Sequence, residues 1–86
     1  MYKKELEIRG ISRQSIIEYL VQLGGELETK DRISCEHWTC EVSAETFVEL
    51  FRSEVPVVHV LFSAESKDGL ADIVRGFRLK TFRAGG

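Results

Sequence analysis

Thiol and imidazole are concentrated in one short run, Cys35-x-His37-x2-Cys40, with a second histidine, His59, further along. Thiolate sulfur and imidazole nitrogen are good zinc ligands, and His59 could supply a fourth. The paired Cys-x2-Cys spacing of structural zinc sites is missing, and alternation along a strand sets Cys35 and His37 opposite Cys40 unless a turn intervenes. The expectation is no metal, no other cofactor, and free thiols beside Trp38. Two cysteines are also too few for a secreted disulfide framework.

Other catalytic arrangements are missing too. Neither His37 nor His59 sits in a motif with a nucleophile, and His59 interrupts an apolar run as a core or edge histidine does. Gly24-Gly25 is followed by Glu26 rather than by Lys and Ser/Thr, so it is no phosphate loop. The carboxylates alternate along strands as a solvated face should. No catalytic residue is assigned, and the chain reads as a non-enzyme. The one sharp feature is the end, Arg83-Ala84-Gly85-Gly86. A terminal Gly-Gly carboxylate is slim enough to enter an adenylating enzyme's channel, the property used by ubiquitin-like sulfur carriers. Those carriers open strand-strand-helix, whereas this chain passes to a helix after Gly10. A Gly-Gly-tailed sulfur carrier is therefore kept as an alternative, with Gly85 and Gly86 as its reactive tail.

The elements that would position these residues are legible from periodicity. Leu6 and Ile8 alternate with Lys3, Glu5, Glu7 and Arg9, which predicts a half-buried strand over residues of about 3–9. Ser12 is a good N-cap for a helix over 13–23, whose inner stripe is Ile16, Ile17, Leu20 and Leu23 and whose wet side carries Arg13, Gln14, Glu18 and Gln22. Gly24-Gly25 closes it. Leu27–Ile33 is a weak charged strand, and Trp38, Cys40 and Val42 share one face of a better one. Thr46–Phe51 suits either a strand or a short helix. Val55–Phe62 is apolar on both faces and should be central, with Pro56 near its start. Ser66 caps a last helix with the stripe Leu70, Ile73, Val74 and Phe77. Leu79 and Phe82 fall off that stripe beyond Gly76. Either the helix kinks there, or these two residues face something outside the domain.

The chain has 86 residues, enough for one domain spanning 1–86 and one modest core. Its 43% hydrophobic and 30% charged content excludes disorder and rods. Met1–Glu5 is not a signal peptide, and no stretch approaches a membrane span, so a cytoplasmic protein with no membrane association is expected. The net charge of −2 hides an acidic body and a basic end, Arg75, Arg78, Lys80 and Arg83, that contains no acid. Such a cluster stabilises the last turns of a helix and also offers an anionic partner a surface. It is too small a footprint for nucleic acid. Arg75, Arg78, Leu79, Phe82 and Arg83 are the candidate partner-binding residues.

Taken whole, the chain resembles the C-terminal domain of proteins related to the small subunit of molybdopterin synthase. The resemblance rests on an opening aromatic strand before the helix Ile17-Glu18-Tyr19-Leu20 through Leu23-Gly24-Gly25, and on the Glu54-Val55-Pro56-Val57-Val58-His59-Val60 strand. It continues in a last helix running into a Gly-rich end with Arg83 before it. The ubiquitin-like carrier module of those proteins has no counterpart in this sequence. The resemblance implies an α+β fold of two layers, an antiparallel sheet packed by two helices. Its order is that of the TATA-binding protein, strand-helix-four strands-helix, which makes Thr46–Phe51 a strand. It also implies a non-enzymatic accessory or interaction domain in molybdenum- or tungsten-pterin cofactor assembly or its sulfur-carrier step. The implied partner is a ubiquitin-like carrier or its activating enzyme. A small-ligand-binding domain is a further alternative, since a sheet and helix can grip a molecule between them.

Overall fold

A computed structural model describes residues 1–85, the last three of them as backbone alone. The elements run β1 (Tyr2–Arg9), α1 (Arg13–Gln22), β2 (Glu26–Thr29), β3 (Arg32–Ser34), β4 (Trp38–Val42), β5 (Thr46–Leu50), β6 (Ser53–Ala64) and α2 (Lys67–Gly85). All strand pairs are antiparallel, in the order β1-β6-β4-β3-β2, with β5 continuing along β6. Both helices pack on one face, α1 over β2 and β3, α2 over β1, β6 and β4. This is the expected α+β architecture, with one correction to its count. Five strands, not four, separate the helices. The weak strand expected over Leu27–Ile33 folds at Lys30-Asp31 into β2 and β3, and the Asp31 amide donates to the Thr29 hydroxyl at 3.2 Å.

β6 is central because every second side chain is buried beneath the helices. Val58, Val60, Phe62 and Ala64 face the core, paired across from Ile8 and Leu6 on β1 and from Val42, Cys40 and Trp38 on β4. Pro56 lies where β1 ends: its carbonyl accepts from Gly10 N at 2.9 Å, so its missing N–H faces the side past the ladder. The core is knit by an aromatic run. Phe62 meets Trp38 and Phe77 edge-on, at centroid distances of 6.4 and 5.2 Å, a preferred arrangement for ring quadrupoles.

Ser12 caps α1, its hydroxyl accepting from the Ser15 amide at 3.2 Å. The helix stops at Gly24, whose φ of +105° suits glycine, and Gly25 then lets the chain turn under the core. A Cβ at Gly25 would stand 2.8 Å from Trp38 Cη2 and still closer to Ile33 Cγ2, so any side chain there is excluded. Ser66 caps α2, accepting from Gly69 N at 2.9 Å. Gly76 does not break α2, which runs on through it. A Cβ there would lie 3.2 Å from Leu23 Cδ2, so glycine lets the two helices approach.

Candidate functional site

The thiol and imidazole side chains of Cys35, His37, Cys40 and His59 do not converge. Cys35 begins a tight turn, its amide donating to Trp38 O at 2.7 Å, and its side chain is half-buried. His37 projects into solvent from that turn, beside Glu36. Cys40 is in the core, where burial, and then the Glu41 charge, push its thiol up to about 12. His59 lies on the opposite, open face of the sheet, 3.7 Å from both Glu5 and Glu7. No group of three or more metal-ligand side chains forms among the described residues.

The partner-binding candidates behave differently. α2 is continuous, so Leu79 and Phe82 are carried away from the core and stand 60% and 80% exposed. With Leu70, Ala71 and Val74 they line an open apolar groove of about 620 Å³, running along α2 beside β1. Its charged boundary is Lys4, Lys67, Arg75 and Arg78. Of these, Arg75 pairs with Asp72 at 3.4 Å, and Lys4, Lys67 and Arg78 have no ion-pair partner among the described residues. The structure thus brings together Arg75, Arg78, Leu79 and Phe82. The side chain of Arg83 lies outside the described residues. So does Gly86, while the backbone is still helical at Gly85.

Two members of the groove were not singled out from sequence. Lys4 shares strand parity with Leu6 and Ile8, which aims it at α2 rather than at the open face. Lys67 opens α2 and lies with Leu70 and Ala71 along the groove. Parity alone was the available signal for Lys4, because its meeting with α2 is a long-range contact. The interior between sheet and helices is filled, with Ile16, Leu20, Phe62 and Phe77 fully buried. The apolar concavity is on the flank of α2; a more polar one of about 660 Å³ lies by the β2–β3 turn, Ser43 and His59.

Arg13 was expected on the wet side of α1 and instead fastens three segments. Its guanidinium donates to Ser43 O at 2.9 Å, Lys30 O at 2.7 Å and Asp31 Oδ1 at 2.6 Å, while its amide donates to Glu45 Oε1 at 2.6 Å. This ties the start of α1 to the β2–β3 turn and to the irregular link between β4 and β5. In that link the Ser43 hydroxyl accepts from the His59 amide at 2.8 Å, standing in for a ladder bond.

The chain is thus an α+β module, an antiparallel sheet backed by two helices, with an apolar, cation-edged groove along one helix. Residues 4–86 match the family described as archaeal MoaD-like protein, and the chain belongs to that family. Membership associates it with molybdopterin biosynthesis. No curated protein matches the sequence.

Proposed function

We propose that this chain is a non-enzymatic accessory module in molybdenum- or tungsten-pterin cofactor assembly. Its task is to dock a ubiquitin-like carrier, or the enzyme that activates one, through the α2 groove. The observation that carries this reading is the union of an apolar floor with Lys4, Lys67 and Arg78, which have no ion-pair partner among the described residues. Such a surface selects an acidic segment with an apolar anchor: burial of the anchor supplies affinity, and the charges supply orientation and encounter rate. The open face offers less apolar surface, and its arginines Arg9 and Arg32 are already paired with Glu7, Glu28 and Glu41, leaving Lys3. The module acts in the cytoplasm, and no helix among the described residues is long and apolar enough to cross a membrane.

The test is capture of pterin-synthesis proteins, ubiquitin-like carriers and their activating enzymes among them, by the immobilised chain, beside Arg78→Glu and Phe82→Ser variants. Both substitutions are at exposed positions and should leave the fold intact. The wild type should retain a carrier or its activating enzyme, and each variant should lose it. Equal capture by all three proteins, or capture by none, would overturn the assignment.

A further inference from the structure

The β5–β6 hairpin leaves the body of the molecule. β6 runs past the end of β1, at the pair Arg9–Val57, and continues to Ser53 with only β5 beside it. The molecule measures 42 Å by 24 and 21 Å. This arm exposes what a free-standing hairpin would hide. Phe51 at its tip is 99% exposed, Phe47 is 55% and Leu50 is 39% exposed. Phe51 and Arg52 take φ values of 50° and 68°, the left-handed region that bulky residues avoid and that glycine or asparagine would occupy at less cost. Glu49 and Glu54 face each other across the strands, a disfavoured like-charge pair, and neither has an ion-pair partner among the described residues.

The arm's exposed apolar side chains and its two facing carboxylates have complements in the α2 groove. The arm carries exposed aromatic and leucine side chains, two carboxylates and, at the tip, the cation Arg52, none of the three charges with an ion-pair partner among the described residues. The groove carries an apolar floor with the unpaired cations Lys4, Lys67 and Arg78. The arm projects beyond the body, so the groove it matches is that of a neighbour. We propose that the arm of one copy docks into the α2 groove of a second copy, with Phe51 as the apolar anchor and Glu49 and Glu54 against Lys67 and Arg78. The two carboxylates that repel within one chain are then held by cations, and the tip aromatic leaves water. This goes beyond the function proposed above but uses the same groove. Self-association and partner docking therefore exclude each other, and the covered groove opens as the protein is diluted.

Sedimentation velocity of the intact chain over a range of concentration and salt tests this. The wild type should self-associate, less so as salt rises. A Glu49→Lys/Glu54→Lys arm variant and a Lys67→Glu/Arg78→Glu groove variant should each associate about tenfold or more weakly. Mixed together, the two variants should form a hetero-complex, because each supplies the charge the other has reversed. A wild type monomeric at its highest soluble concentration, self-association unchanged in the arm variant, or no complex in the mixture would overturn the arm-to-groove contact. The arm variant also separates this idea from the docking function. If it captures the carrier as the wild type does while the wild type proves monomeric, only the arm contact is lost. If the charge-swapped pair associates while the groove variant still captures the carrier, only the docking function is lost.

Discussion

The body and the arm are made from the same strand and obey opposite rules. Within the body, β6 buries Val58, Val60, Phe62 and Ala64 under two helices, and an aromatic run fills the space between. In the arm the same strand carries Glu54 opposite Glu49, and the hairpin closes on Phe51 and Arg52 in a conformation neither favours. The body therefore holds the fold, and the arm spends stability on a surface. The α2 groove belongs with the arm in this respect, since Leu79 and Phe82 contribute nothing to the core although they lie on the same helix as Phe77.

The contrast breaks most readily at Phe77. It is fully buried against Phe62, so Phe77→Ala should lower unfolding free energy by about 3–5 kcal/mol, whereas Phe51→Ala should change it little. Chemical denaturation of the two variants would show it, and comparable losses would erase the distinction between body and arm. Cys40 gives the next largest effect. Its thiol is held up to about 12, from 9.0, so between those values the folded state keeps a proton that the unfolded chain releases. The folded state binding more protons means that stability falls as pH rises through that window, by about 1 kcal/mol per unit. The contribution is fully present below pH 9, and a Cys40→Ala variant should lack this extra alkaline loss in pH-dependent melting.

Arg13→Ala should cost about 2 kcal/mol, because three guanidinium bonds, one of them to a carboxylate, are lost at a partly exposed site. Hydrogen exchange should then quicken at the β2–β3 turn and at residues 43–45, and not at the arm tip. The smallest effect has the opposite sign. Replacing Phe51-Arg52 by Asn-Gly, the pair that suits two left-handed positions, should raise stability by about 0.5–1 kcal/mol while weakening self-association. A loss of stability instead would mean that the tip is not strained.

What could be read from sequence, and what could not, divides along lines of contact range. The limits of α1 follow from Ser12 and Gly24-Gly25, and the central place of β6 from its two apolar faces, because these are local signals. The outward turn of Leu79 and Phe82 was visible as a departure from the α2 stripe. The Lys30-Asp31 turn was not, since charged residues on both sides of it continue one polar pattern without a glycine or proline. Thr46–Leu50 could be chosen as a strand only with the strand order of the resemblance in hand, and its tip lacks the usual Asn-Gly signal. The partners of Arg13 and Lys4 were out of reach for another reason: parity gives the side of the sheet Lys4 faces, but what each side chain meets is distant in sequence. Arg13 joins Lys30, Asp31 and Ser43, and Lys4 meets α2.

The claim that the α2 flank is the working surface is tested most directly by amide chemical-shift mapping. The isotope-labelled chain would be titrated with an unlabelled ubiquitin-like carrier of the pterin pathway at a concentration where the chain is monomeric. The account predicts perturbations gathered at Lys4, Lys67, Leu70, Arg78, Leu79 and Phe82, weakening as salt is raised. Perturbations centred instead on His59, Leu61 and the open face of the sheet would contradict it.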